Sequence, residues 1–189
     1  YHPSKCHALK LGPRISELHD TFTPYTMGGT HLDTVPKEKD LGVTIDCDLS
    51  FVQHMIEKVN KANSMVGIIR RSFVCLDASM FLQLYKAMVR PHLEYANQVW
   101  SPQAKKYREM IENVQRRATK MIPGYSSLEY PDRLKKLKLP TLSYRRLRGD
   151  LIEIYKILSG KYDPDVCQDF INLRDQYLGP DAPETRGND

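Results

Sequence analysis

Three observations predict an α+β fold, mainly α, with short N-terminal strands in a hairpin arrangement followed by a bundle of five or six helices. Apolar residues alternate in short runs up to about residue 50. From there to about residue 160 they recur every three to four positions. Turn and capping signals fall at the joints between those runs.

The β-rich part comes first. His7–Leu11 alternates and stops at Gly12. Thr21–Met27 ends at Gly28-Gly29, a turn signal, and Gly29–Val35 reads as the return strand of a hairpin. Leu41-Gly42-Val43-Thr44-Ile45 is a further short, β-branched run.

Helices follow. Ser50 with Gln53 three residues on has the form of a capping box. Val52, Met55, Ile56, Val59, Ala62, Val66 and Ile69 then trace one helical face to about residue 72. Asp77 is the expected N-cap of a second helix with Phe81, Leu84, Tyr85 and Met88 inward. Pro91 is expected to interrupt it and to begin another segment through Trp100. Ser101-Pro102 reads as cap and first position of the next helix, which buries Tyr107, Met110, Ile111, Val114, Ala118 and Met121 and stops at Pro123-Gly124. A short helix over Pro131–Leu137 follows. Thr141 is placed to cap the last long one, with Tyr144, Leu147, Leu151, Ile154, Tyr155 and Leu158 as its inner face and Gly160 as its stop. The organisation expected is a β segment over 1–50, a helical bundle over 51–162, and an acidic, turn-rich, partly disordered tail over 163–189.

Charge is distributed unevenly. The net charge of +5 hides a block at 105–148 with 13 basic and 4 acidic groups, +9, followed by 149–189 at −5. Four acids cannot neutralise thirteen bases, so this block carries a field that attracts polyanions. Lys105, Lys106, Arg108, Arg116, Arg117 and Lys120 lie on one expected helix, where 105, 108, 116 and 120 fall on neighbouring sides with 117 close by; Lys135, Lys136 and Lys138 follow, and Arg145, Arg146 and Arg148 open the last helix. Arg70 and Arg71 end the first helix. Arginine clamps phosphate with two parallel hydrogen bonds, and each contact releases counterions. Trp100, Tyr107, Tyr125, Tyr130 and Tyr144 interleave with the block, but apolar-face positions make most of them packing residues rather than base-stacking platforms.

Recognisable chemistry is sparse. There is no phosphate loop, no dinucleotide fingerprint, no nucleophile elbow and no Asp-Asp pair. Asp46 and Asp48 alternate, which allows a shared face, but they fit better at a strand end that caps the next helix. Histidines 2, 7, 19, 31, 54 and 92 make no metal-binding pair, and His54 and His92 read as surface or packing residues. Cys6, Cys47, Cys75 and Cys167 are far apart and read as buried, reduced thiols of an intracellular protein, with a zinc site built from Cys6 and His7 as the alternative. No run approaches a membrane span, and no signal peptide or initiator Met is visible, so a fragment or processed chain in the nucleus or cytoplasm is expected.

Several long words carry a resemblance: KDLGVTIDCDLSFVQHMIEKVNKANSMVGIIRRSF, FLQLYKAMVRPHLEYANQVWSP, IENVQRRATKMIPG and RLKKLKLPTLSYRRLRGDLIEIYKIL. In this order they resemble the C-terminal part of the reverse transcriptase of non-LTR, LINE-like retrotransposons of the jockey and CR1 type, over roughly residues 1–178. The resemblance implies that the segment resembling HPSKCHALKLG forms the rear edge of the polymerase palm. It implies that Leu41, Gly42 and Val43 belong to the element supporting the primer end, and that the helices beyond form the thumb. Arg70, Arg71, Lys105, Lys106, Arg116, Arg117, Lys120, Arg145, Arg146 and Arg148 are then expected to face an RNA–DNA or DNA duplex through its phosphates. The family's catalytic Asp-Asp motif is absent, so the implied product is a non-catalytic fragment of an RNA-directed DNA polymerase, inactive alone. Its divalent metal would be held in the missing palm, with no cofactor in this chain, and the missing fingers and palm would be its partners. Two other readings remain open: a stand-alone helical protein-interaction module, and a relic of a mobile element without function.

Overall fold

In the computed structural model, which describes residue 2, residues 5–12, 25–163 and 165, the chain forms an α+β fold with short strands ahead of the helices. It divides into two compact units, Tyr1–Ser143 and Tyr144–Asp189. The tail expected over 163–189, apart from residues 163 and 165, and much of the expected strand Thr21–Met27 lie outside the described residues.

The strands pair locally. β2 (Thr26–Met27) and β3 (Thr30–His31) form the expected antiparallel hairpin across Gly28-Gly29, both at positive φ. β1 (His7–Leu9) pairs in parallel with β4 (Asp33–Val35), His7 opposite Asp33. β5 (Lys37–Asp40) and β6 (Val43–Asp46) are antiparallel, Asp40 opposite Val43. Leu41 and Gly42 are therefore the two-residue turn of this hairpin rather than part of a strand. Their φ values of 44° and 82° suit the twist of a tight hairpin.

α1 (Val52–Ser72) buries Met55, Val59, Ala62, Val66 and Ile69, as its period requires. Ile56 is exposed. The expected capping box does not form. The Asp46 carboxylate accepts from the Ser50 N–H at 2.7 Å and the Ser50 hydroxyl at 3.0 Å. Gln53 donates to Glu57 instead, and Phe51, in the left-handed region, occupies the cap position. Asp46 thus terminates β6 and organises the helix start.

Asp77 caps α2 (Ala78–Leu84), accepting from the Met80 N–H at 2.7 Å. Pro91 does not break the rod. The helix widens into a π turn over Tyr85–Val89 and continues as α3 (Arg90–Glu94). A proline ring collides with the carbonyl four residues back in a regular helix, and the wider turn gives it room. The buried row Phe81, Tyr85, Val89, Leu93 advances by four at each step, as the widened turn demands.

After α4 (Asn97–Trp100), Ser101 does not act as a cap. It is extended, as residues before proline prefer, and Pro102 is buried in the connector. α5 (Lys105–Thr119) begins three residues later than Pro102 suggested. α6 (Tyr130–Leu137) matches the expected short helix. α7 (Leu142–Leu158) starts directly after Thr141.

The core of the first unit gathers the apolar faces of α1, the α2–α3 rod and α5, with Val43 from β6 and Trp100. Each fully buried large side chain there contributes roughly 1.5–3 kcal/mol. The second unit contradicts the expected inner face of α7. Leu147, Leu151, Ile154, Tyr155 and Leu158 are all more than half exposed, and so is Tyr144. The periodicity correctly marks an amphipathic helix, but that face is uncovered.

Candidate nucleic-acid interface

Two features of the first unit bear on function: a basic groove at the end of α5 and the tip of the β5–β6 hairpin.

The groove is built by a buried arginine that the charge pattern alone would class with its exposed neighbours. Arg133 of α6 is 3% exposed. Its guanidinium donates to Thr119 Oγ1 at 3.0 Å, to the Leu128 carbonyl at 2.5 Å and to the Arg116 carbonyl at 3.4 Å. It thereby ties the C-terminal turn of α5 to the loop ahead of α6, and its charge complements the negative end of the α5 dipole. Between these segments lies an open cavity of about 790 Å³ lined by Arg116, Arg117, Lys120, Ser126, Ser127 and Tyr130, among others. Arg116 is held by a bond to Asn113 Oδ1 at 3.2 Å and lies over the Tyr130 ring at 5.1 Å. Glu129 is the one acidic residue among the lining residues, so the wall is net positive, with three exposed cations and two hydroxyls facing one concavity.

Beneath it runs a buried polar network that the sequence pattern does not reveal. Glu112, 6% exposed, accepts from the Tyr130 hydroxyl and from the Leu142 and Ser143 N–H groups at 3.3 and 3.2 Å. Its carboxylate thus holds the amides that open α7. Gln115, 1% exposed, accepts from the Tyr85 hydroxyl at 2.7 Å and donates to the Tyr130 hydroxyl and the Pro140 carbonyl. Burial pushes the phenols of Tyr85 and Tyr130 well above their ordinary range, so both remain neutral donors.

The hairpin tip is held from α3. Tyr95 donates its hydroxyl to the Leu41 carbonyl at 2.9 Å, and Trp100 Nε1 donates to the Tyr95 carbonyl at 2.8 Å. Leu41 is nonetheless 83% exposed, whereas Val43 packs in the core. Two residues beyond the turn, the Thr44 N–H donates to Nδ1 of the fully buried His54, 3.1 Å away. The imidazole tilts against Trp100 with ring centroids 5.3 Å apart. Desolvation, with Lys58 next in weight, holds its pKa below the usual histidine value, so it is a neutral packing residue.

The expected basic residues are only partly brought together. Arg116, Arg117 and Lys120 share the groove. Lys105 and Lys106 stand exposed at the opposite end of α5, eleven residues before Arg117's neighbour Arg116, or about 16 Å along the axis. Arg70 and Arg71 are exposed in the last turn of α1. Arg145, Arg146 and Arg148 belong to the second unit, where Arg148 is exposed and Arg146, 5% exposed, is buried against expectation. Arg146 stands one helical turn before Asp150, whose carboxyl burial raises above its ordinary value while the Arg146 charge opposes that shift. Of the five candidate stacking aromatics, Trp100 and Tyr125 are buried and Tyr144 is exposed.

Among the described residues no three His, Cys, Asp or Glu side chains converge as metal ligands. His7 Nδ1 lies 2.8 Å from Glu38 Oε2. Cys6 and Cys47 are half-buried and Cys75 is exposed, so the thiols are free but not the buried ones expected; Cys167 lies outside the described residues. No described helix is long and apolar enough to cross a membrane.

The chain is similar to a Caenorhabditis elegans protein described as uncharacterized protein B0403.1, with 28% identity over 134 residues, covering 69% of this chain and 68% of the relative. No protein-family profile matches the chain. No solved structure matches it.

Proposed function

We propose that this chain is a non-catalytic palm-edge and thumb segment of a non-LTR retrotransposon reverse transcriptase that grips primer–template nucleic acid. The observation that carries the reading is the groove where Arg116, Arg117 and Lys120 face one concavity beside the Ser126 and Ser127 hydroxyls. Among the described residues one acid, Glu129, lines the groove against these three cations, and phosphodiester oxygens are the acceptors their geometry suits. The hairpin tip supports the same reading. Leu41 is both strained at positive φ and exposed, a combination that folding alone disfavours and that a surface touching a primer end would use. The chain would act with the fingers and palm of its parent polymerase, in the nucleus or cytoplasm, with the divalent metal held in that palm.

A phosphate grip reads backbone rather than sequence. Binding to an RNA–DNA hybrid should therefore be nearly sequence-independent and should weaken steeply with salt. Fluorescence anisotropy across a salt series tests this; affinity that barely changes between low and moderate salt removes the reading. The uncovered stripe on α7 favours a second reading, a helical protein-interaction module. Absence of hybrid binding even at low salt, together with stable association through α7, would select it.

A further inference from the structure

We propose that residues 165–178 fold back antiparallel to α7 and cover its apolar stripe. The inference goes beyond the nucleic-acid reading and does not depend on it. Leu147, Leu151, Ile154 and Leu158 follow one another at steps of four, three and four along α7, and each is more than half exposed. A stripe of this kind calls for a cover. Residues 166–178, outside the described residues, read VCQDFINLRDQYL. Val166, Phe170, Leu173 and Tyr177 repeat the same steps of four, three and four. Cys167, Ile171 and Leu178 widen the apolar arc of a helical pattern, which Arg174 alone interrupts. Gly179-Pro180 is a helix stop signal.

The described residues between the two stripes already turn the chain around. Gly160, at φ 63°, donates its N–H to the Ile157 carbonyl at 3.3 Å, and the Lys161 N–H bonds the Lys156 carbonyl at 3.0 Å. This pair of bonds is the left-handed closure of a helix end. The Tyr162 hydroxyl then donates to the carboxylate of Glu153, nine residues earlier, so the exit runs back beside α7. Asp163 Oδ1 accepts from the Asp165 N–H at 3.0 Å, and Asp165 is helical. Asp163-Pro164 has the form of a cap with proline at the first position. A helix thus opens within seven residues of Leu158, a connection that makes consecutive helices antiparallel neighbours. Both stretches belong to the compact unit Tyr144–Asp189. The two stripes also match in length, each advancing eleven residues, about 16 Å of helix. A turn centred on Tyr162 sets Leu158 against Val166, Ile154 against Phe170, Leu151 against Leu173 and Leu147 against Tyr177, all in one register. A tethered occupant also avoids the loss of translational freedom that a separate partner suffers.

Cysteine pairs introduced into the full chain, in a background of Cys6→Ser, Cys47→Ser, Cys75→Ser and Cys167→Ser, test the proposal with a short bismaleimide. Packed helices stand about 8–10 Å apart, within reach of such a linker. Leu147→Cys with Tyr177→Cys should cross-link within one chain, and so should Leu151→Cys with Leu173→Cys. Leu158→Cys with Tyr177→Cys is the closest pair in sequence, yet the register holds its members about 16 Å apart along the axis, so it should react far less. Adding Phe170→Asp to the Leu151→Cys and Leu173→Cys pair should cut its yield about tenfold, because a carboxylate would have to enter the seam. Trp100 fluorescence, which reports the first unit, should stay unchanged throughout. Equal reactivity of the three pairs, the mark of a tail that samples every position, overturns the proposal. Cross-links formed only between chains overturn it in favour of a second copy on the stripe. Absence of any cross-link, or a yield that Phe170→Asp leaves unchanged, overturns it as well.

Discussion

Replacing Glu112 by Gln should cost about 2–3 kcal/mol of folding stability. Glu112 is 6% exposed and its two oxygens take three donors: the Tyr130 hydroxyl and the Leu142 and Ser143 amides. Glutamine keeps one acceptor oxygen and turns the other position into an NH₂ group facing a backbone N–H. One charge-assisted hydrogen bond, worth about 1.5–3 kcal/mol, is lost, and a buried donor is left without an acceptor. The favourable meeting of a carboxylate with the amides at a helix start is lost too, about 0.3–1 kcal/mol. The loss is thus set by hydrogen-bond complementarity, since Gln and Glu have nearly the same volume. Urea unfolding followed by Trp100 fluorescence measures it, Trp100 being 2% exposed in the same unit. In a chain of this size the corresponding drop in Tm is about 4–12 °C, at roughly 2–4 °C per kcal/mol. Because the carboxylate also positions Tyr130, on which Arg116 rests, the groove should loosen and hybrid affinity should fall with stability. A Glu112→Gln variant within about 0.5 kcal/mol of the parent would refute this account of how the end of α5, α6 and the start of α7 are joined.

Three further outcomes are expected. Leu41→Asn should raise stability by up to about 1 kcal/mol, because asparagine tolerates the left-handed conformation that Leu41 adopts, while hybrid affinity falls; urea titration and anisotropy on the same preparation check both. His54 has a depressed folded-state pKa, so its contribution is fully present above the unfolded value of about 6.5 and is lost as pH falls below that value toward the folded one. Denaturation midpoints between neutral pH and about pH 5 should therefore decline, and His54→Phe should flatten part of the decline. Asp77→Ala should cost about 1 kcal/mol through loss of the α2 cap, and a loss no larger than that of an exposed surface substitution would contradict the capping role.

The course of the helices was legible wherever one physical rule dominated. The buried face of α1 follows the 3.6-residue period because apolar burial decides it, and Asp77 caps α2 because its carboxylate lies in local reach of the Met80 N–H. Ser50 and Gln53 satisfied the capping-box pattern but lost to Asp46, a partner four residues away whose rotamer no local pattern contains. Pro91 read as a break because local rules weigh proline against a regular helix and not against a π turn. The α7 stripe showed that a face needs cover without showing what covers it. The groove was half legible. Arg116, Arg117 and Lys120 stood out by charge, whereas Arg133, Ser126 and Ser127 join them through tertiary bonds that Arg133 makes to Thr119 and Leu128. Glu112 and Gln115 occupy positions that a polar pattern assigns to the surface, and only the Tyr85–Gln115–Tyr130–Glu112 chain of bonds explains their burial.

The groove's role as a phosphate grip is tested most directly by the salt slope of hybrid binding in a variant carrying Arg116→Gln, Arg117→Gln and Lys120→Gln. Each phosphate contact contributes about 0.9 to the slope of log affinity against log salt, so loss of all three should reduce its magnitude by about 2.7. The paired substitution Lys105→Gln with Lys106→Gln, at the far end of α5, should reduce it by less. A slope unchanged in the groove variant, with the protein still folded, would contradict the grip.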